Sequence, residues 1–382
     1  MSYEVPFIRP VFPPAATIAS DVTDIVESNW FTNFGPKERD FATRIAAFVG
    51  DDFGAATFCN ATIALVAALS VVLGDPVPTD TPVRRRFVIV PSFTFAAGPQ
   101  SIQAVGREPL FIDVDGETLQ PSLAAARDAL RDRRSEIDGI LLCNSFGVGN
   151  PDVGAWEELA AEHGVPLVID SAAGFGSVYP DGAPVGARGT CEVFSFHATK
   201  PFAIGEGGAI ISRDLDLIES ARSYSNFGFA FGGSVRAGLN GKLQEINAAI
   251  GLRQLERFEE SLGRRRELLR RYALVFEGLP GARLVPHAEL SSVCFATIVL
   301  PDEGTRDAIL AGMRAAGVEA RVYYAPPVHQ QPRFVGAVRQ GTLATTDAMS
   351  RRCIALPVFE GLPEQVFHHL ADIIDRLTPR ST

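Results

Sequence analysis

The stretch FSFHATKPFAIGEGGAIIS, Phe194 to Ser212, sets two apolar runs on either side of a loop that carries a single lysine, Lys200, and the glycine-rich turn GEGG. Val193–Phe196 and Ala209–Ser212 read as strands, because apolar, β-branched and aromatic runs bounded by turn residues are strand signals. A lysine just past a buried strand is either a solvated charge at a loop tip or an amine held at the edge of a cleft. In the second case partial desolvation leaves it able to attack an aldehyde. The glycines of GEGG suit a tight turn whose backbone passes close to a ligand.

Outward from this stretch, apolar runs recur at Arg86–Val90, Leu110–Asp113, Gly139–Cys143 and Leu167–Asp170. Helical patterns at Thr62–Leu73, Leu123–Leu130 and Val153–His163 lie between several of them. Near-continuous apolar strands alternating with helices predict a mostly parallel sheet covered on both faces. Such sheets place ligands outside the carboxyl ends of their strands. From about Asn240 the texture changes: LQEINAAIGLRQLERFEESLGRRRELLRRYALVFEGL predicts a long amphipathic helical stretch, broken near Gly263. A strand over Val293–Leu300, a helix over Thr305–Ala316, a strand over Glu319–Tyr324 and a helix after Pro363 are expected next. The division that follows is a large α/β domain over residues 1–245 and a smaller α+β domain over 246–382. The cluster Arg264–Arg265–Arg266 reads as a solvated helix face.

With 46% hydrophobic and 21% charged residues in 382, the composition is that of an ordinary globular protein. Its 45 acidic against 35 basic residues argue against a nucleic-acid partner, since duplex binding needs a basic face. The N-terminus MSYEVPFIRPVFPP lacks a cationic start followed by an apolar core, and the longest apolar run, Ala61–Leu73, is too short for a bilayer. A cytoplasmic protein without membrane contact is expected. The five scattered cysteines form no CxxC pair and the six histidines lack metal spacing, so reduced thiols and no metal are expected. No GxGxxG follows the first strand, which argues against a nicotinamide dehydrogenase.

Four features carry chemistry. Asp170 ends the run VPLVID and either reaches into the cleft or caps the turn SAAGFGS. Ala61 and Thr62 open the helix in CNATIALVAAL, where free N–H groups and a hydroxyl hold a phosphate or the residues simply start a helix. Phe93 and Phe95 in PSFTFAAGPQSI stand at a strand's carboxyl end, to stack on a flat ligand or to pack the core. With Lys200 these make a phosphate cradle, a ring stacker, a carboxylate and an amine at the strand ends of one sheet. Pyridoxal phosphate needs this set: the lysine binds its aldehyde, and the carboxylate keeps the ring nitrogen protonated, so that the ring draws electrons from the substrate carbon.

The segments DSAAGFGS, FSFHATKPFAIGEGG and GLNGKLQEINAAIGLRQL resemble the hallmark stretches of the DegT/DnrJ/EryC1/StrS aminotransferase family. The opening, RPVFPP to FATRIAAFVG, resembles the family's N-terminal helix and Gly-Pro turn, and ARVYYAPPVHQQPRF its small-domain segment lining the substrate site. The resemblance spans the chain. It implies a fold-type I, aspartate aminotransferase-like transferase with a mostly parallel seven-stranded sheet in the large domain. The activity implied is transfer of an amino group from an amino acid, glutamate above all, to the ketone of a nucleotide-linked keto-deoxysugar.

On the same resemblance, Lys200 falls at the lysine that forms the Schiff base with the cofactor and serves as base and acid. Asp170 falls at the partner of the ring nitrogen, Ala61, Thr62 and Ser195 at phosphate contacts, and Phe95 at the ring stacker. Asn240 matches an asparagine that contacts the phosphate in the neighbouring subunit, which implies a homodimer with shared active sites. Tyr323, Tyr324 and His329 are substrate contacts by the resemblance, with ordinary packing as the other reading. The chain departs from the family at Ala173, where Gln or His is usual, at Ala61 in place of glycine, and at Asn144-Ser145-Phe146-Gly147, where relatives often read His-Leu-Tyr-Gly. These departures leave a different sugar or a non-sugar ketone open. Two other readings stand beside transamination: a non-catalytic sensor that keeps the cofactor, and dehydration at C3 of a keto-sugar, for which family members carry histidine in place of the lysine.

Overall fold

The computed structural model describes residues 3–74 and 86–378. Two helices, α1 (Ala15–Ser28) and α2 (Pro36–Val49), lead into an alternation of strands and helices. In order these are β1 (Gly54–Phe58), α3 (Ala61–Leu73), β2 (Phe87–Pro91), α4 (Ala97–Ala104), β3 (Glu108–Ile112), α5 (Leu123–Arg133), β4 (Ile137–Cys143), α6 (Val153–His163), β5 (Leu167–Asp170), β6 (Cys191–Ser195), β7 (Gly208–Ser212) and α7 (Leu215–Ser225). A short hairpin, β8 (Phe229–Ala230) and β9 (Gly233–Ser234), precedes α8 (Glu245–Leu255) and α9 (Phe258–Phe276). The chain ends with β10 (Arg283–Leu284), β11 (Ala296–Val299), α10 (Glu303–Ala315), β12 (Val338–Arg339), α11 (Ala344–Arg352), β13 (Cys353–Leu356) and α12 (Gln365–Leu377).

The large sheet has the order β1-β7-β6-β5-β4-β2-β3-β12. Only β7 runs against its neighbours. Both faces are buried, one by a core containing Phe41, Trp156, Phe175 and Phe194, the other by α3 and α7 through Leu65, Leu69 and Ile218. That is why its strands read as continuous apolar runs. Seven strands were expected, and seven come from residues 54–212. The eighth, β12, is only two residues long and adds to the free edge of β3, pairing Val338 with Leu110 and Arg339 with Phe111. A strand that short leaves no periodicity to read.

The C-terminal part builds a separate three-stranded antiparallel sheet, β10-β11-β13, over a core that includes Tyr272, Ile298, Met313 and Phe367. Several boundaries differ from expectation. The long helical stretch breaks at Glu256–Arg257, and α9 runs unbroken through Gly263. A Cβ at Gly263 would meet nothing within 4 Å, so this glycine marks open space on a helix and no bend. Helix α8 packs on α2, and its Glu245 carboxylate accepts the N–H groups of Lys37 and Glu38 at 2.9 Å each, capping α2. By packing, therefore, residues 246–255 join the large core.

The strand expected over Glu319–Tyr324 shrinks to one bridge, Arg321 with Ala355, because the two tyrosines turn away to pack against phenylalanine rings. The arginine cluster is solvated only at Arg264. Arg265 is buried and donates to the carbonyls of Val293 and Cys294 at 2.9 and 3.2 Å, and Arg266 donates to that of Ser291 at 3.1 Å. Among the described residues no helix is long and apolar enough to cross a membrane.

Candidate active site

At the carboxyl ends of β2, β4, β5 and β6 the structure opens a cavity of about 680 Å³. Strands β2 and β4 are adjacent, yet the chain leaves β2 for β3 on one side and reaches β4 on the other. This is the topological switch point, where the two connections diverge and a crevice forms.

Lys200 reaches this cavity from a loop pinned at both ends. Phe196 and Phe202, fully buried on either side of the lysine, stand 5.2 Å apart edge to face. Phe175 lies 5.5 Å from the first ring and 5.0 Å from the second. Such pairs contribute about 0.5–1.5 kcal/mol each beyond area burial. The backbone closes the loop through Phe196 N–H to Gly207 O, Ile204 N–H to Phe196 O and Ala198 N–H to Gly205 O, at 2.8–2.9 Å. Gly205 takes a left-handed φ of 94° in this turn. A Cβ on Gly208 would stand 2.6 Å from Ala61 N. The glycines thus let β7 lie against the start of α3, rather than against a ligand directly.

At that start, Asn60 caps α3 by accepting the N–H of Ile63 at 2.9 Å, and the first turn closes with Ala64 N–H to Asn60 O. The N–H groups of Ala61 and Thr62 precede the first intrahelical bond, and both residues line the cavity. Phe93 is fully buried, whereas Phe95 is 66% exposed and lines the cavity. Ser195 lines it as well.

Asp170 sits at the cavity's base. Its Oδ1 accepts the N–H of Ala172 at 3.1 Å, and no described residue donates to its other oxygen. Burial pushes the carboxyl above its usual range, opposed by that N–H bond and by the charge of Lys200. A cationic N–H donor is what this carboxylate lacks. The protonated ring nitrogen of pyridoxal phosphate is such a donor, and the two free N–H groups of α3 suit its phosphate. The residues present therefore fit the group. Two thiols line the cavity, Cys143 and Cys294; burial pushes Cys143 far up and raises Cys294 as well, so neither offers a thiolate near neutrality.

The facing wall is aromatic. Tyr323 and Tyr324 both line the cavity. Tyr324 stacks on Phe146 at 5.8 Å and 10° and meets Phe93 edge on at 5.5 Å; Tyr323 lies 5.2 Å from Phe295. Burial holds the Tyr324 phenol far above its usual range, so it keeps its proton. Phe146 has a φ of 61°, a left-handed conformation that a bulky residue adopts only under strain. Ala173 lines the cavity too, so no Gln or His side chain crosses it there.

His329 departs from expectation. It is 2% exposed and lies outside the cavity lining, bonded through Nδ1 to Ser92 Oγ at 2.6 Å and through Nε2 to Asp347 at 3.2 Å. It fastens the segment after Tyr324 to the end of β2. Asn240 is exposed and stands outside this chain's cavity, paired with Asn226 through the backbone. Sequence reasoning singled out no role for Phe7, Arg321, Phe146, Phe295 or His197, all on the cavity wall. His197 lay inside the opening stretch, Arg321 in the segment ARVYYAPPVHQQPRF and Phe146 in the departure Asn144–Gly147; Phe7 and Phe295 gave no local signal.

A model of the DegT/DnrJ/EryC1/StrS aminotransferase family matches residues 15–375. Protein Rv3402c of Mycobacterium tuberculosis (strain ATCC 25618 / H37Rv) is 45% identical over 375 residues, covering 97% of this chain and 89% of that protein. GDP-perosamine synthase of Vibrio cholerae is 27% identical over 365 residues, 92% of this chain and 94% of the other. The crystal structure of DesI with its TDP-sugar product superposes with a TM-score of 0.86 at 30% identity, over 97% of this chain and 92% of that one.

Proposed function

The chain belongs to the DegT/DnrJ/EryC1/StrS aminotransferase family and is a pyridoxal-phosphate-dependent aminotransferase, and from that premise we propose that it carries an amino group from an amino acid, with glutamate as donor, to a nucleotide-linked keto-deoxysugar. The observation that carries the reading is the convergence of Ala61, Thr62, Phe95, Asp170 and Lys200 on one cavity from four separate segments. The similarity to a GDP-perosamine synthase and to a structure holding a TDP-sugar product supports the sugar acceptor.

In this reading the N–H groups of Ala61 and Thr62 and the hydroxyls of Thr62 and Ser195 hold the phosphate. Phe95 covers one ring face, and Asp170 holds a proton on the ring nitrogen. The cofactor, when bound, supplies an electron sink for the pair left at the substrate carbon. Lys200 would hold the cofactor's aldehyde, and its Nζ, when free, would carry a proton to and from the substrate carbon. The aromatic wall around Tyr324 excludes water from this exchange.

The working unit in this proposal is a dimer. Phe227, Phe229, Phe231, Val235 and Leu239, all exposed, crowd the hairpin just before Asn240, and Phe231 is fully exposed. So large an apolar patch calls for a partner surface, and a second copy of the chain would bring Asn240 to the neighbouring phosphate.

Purified with its cofactor, the protein should be yellow, bleach on addition of glutamate, and regain colour when a nucleotide-linked keto-deoxysugar is supplied, with the aminated product seen by mass. Lys200→Ala should abolish the cycle. A coloured protein that no amino donor bleaches would overturn transamination and leave the sensor reading.

A further inference from the structure

Beneath the cavity lies a polar network that no step above uses. Glu192, on β6, is fully buried. Its Oε2 accepts the Ser171 hydroxyl, and its Oε1 accepts the Tyr179 hydroxyl at 3.1 Å and the Arg188 N–H at 3.0 Å. Both hydroxyl oxygens in turn accept from one amide, Asn144 Nδ2, at 2.8 and 2.9 Å. The orientation of that amide is fixed, because Asn144 Oδ1 accepts the Asn150 N–H at 2.8 Å.

The direction of every bond then follows. Asn144 donates to both hydroxyls, so each hydroxyl commits its proton to Glu192. Residue 192 must be an acceptor on both oxygens, which an ionised carboxylate satisfies and an amide does not. Among the described residues no cation pairs with it, since the Arg188 guanidinium is taken by Glu157 and Asp181.

This network grips the backbone of Asp170 itself and of the residue after it, Ser171. Asn144 N–H donates to the Asp170 carbonyl at 3.0 Å, and Ser171 N–H donates to Val193 O at 2.9 Å. Asp170 is thus held between two strand ends, both tied to Glu192. We propose that Glu192, acting through Ser171 and Asn144, is a positioning residue that fixes where the Asp170 carboxylate stands at the base of the cavity. The proposal rests on the assignment of Asp170 as the cofactor's ring partner.

Burial pushes the Glu192 carboxyl up to about 7. The charged and titratable groups around it are Tyr179, the adjacent Cys191 thiol, Arg188, Glu157 on α6, Asp181, and Asp170 on the neighbouring strand; Arg188 is paired with Glu157 and Asp181. As pH falls through this value Glu192 takes a proton, one of its donors loses an acceptor, and the grip on Ser171 loosens. The network is intact above that pH and relaxes below it.

The experiment uses holoenzyme and reads three quantities: the visible band of the bound cofactor, its dissociation constant, and the rate of bleaching by glutamate between pH 5.5 and 8.5. Wild type should show an acid limb in the bleaching rate near pH 7. Glu192→Gln should weaken cofactor binding about tenfold, the fold-change of one unmade buried hydrogen bond, and should flatten that limb. Tyr179→Phe removes one donor while leaving the path through Ser171 intact, so the limb should persist. If Glu192→Gln lowers the melting temperature but leaves the dissociation constant and pH profile as in wild type, Glu192 only packs the core and the proposal is overturned. Should that variant fail to fold, Ser171→Ala, which cuts the same path, must show the tenfold loss; wild-type binding and profile there would equally overturn it. Failure of wild type to bleach at all would instead strike at transamination, with the dissociation constants still testing Glu192.

Discussion

At the scale of single residues, the site is built from groups that lack something. Among the described residues Asp170 has one oxygen without a donor, α3 begins with two N–H groups not yet bonded within the helix, and Phe95 is exposed at the cavity. Replacing Asp170 with Asn should leave the fold intact and lower the rate of bleaching by glutamate roughly a hundredfold or more, because an amide does not hold a proton on the ring nitrogen. Bleaching within a few-fold of wild type would remove Asp170 from that role. That Ala61, Thr62, Phe95, Asp170 and Lys200 meet in one cavity was legible in the sequence because they sit at strand ends and helix starts, where local pattern fixes position. The aromatic wall was legible only in part: Tyr323 and Tyr324 were named, but Phe7 and Phe295 reach it from distant segments with no local pattern. His329 was named with the tyrosines, yet the turn after them carries it into a buried bond with Ser92.

At the scale of elements, the site depends on how closely β7 approaches α3. Gly208 is pressed against the Asn60–Ala61 backbone, with Ala61 N only 2.6 Å from where a Cβ would stand. Backbone yields less readily than a side chain end, so Gly208→Ala should displace the first turn of α3. We expect cofactor affinity to fall about tenfold or more, consistent with one lost charge-assisted hydrogen bond, while the circular dichroism spectrum stays native. Unchanged affinity would mean that the phosphate does not sit on this turn. The alternation of strands and helices was readable because both faces of the sheet are buried and the strands are apolar throughout. Where tertiary contacts decide, pattern gave less. The break at Glu256–Arg257 is set by α8 docking on α2, and the buried Arg265 satisfies carbonyls of a loop about 30 residues ahead in sequence.

At the scale of the whole molecule, shared active sites have a measurable signature. Lys200→Ala and Asn240→Asp, which sets a carboxylate against the phosphate, should each be inactive alone. Co-expressed, they should recover roughly a quarter of wild-type activity, since half of the random dimers hold one intact site of two. No recovery would mean that Asn240 serves its own subunit. The large sheet carries a further consequence. Its β3 edge is covered by Val338–Arg339, a strand made roughly 200 residues later in the chain. At synthesis rates of about 5–20 residues per second, that edge stays bare for roughly ten to forty seconds on the ribosome. An unpaired parallel edge is a template for foreign strands. The nascent chain is therefore most exposed to misassembly after its cofactor-facing half has emerged and before its last fifty residues have.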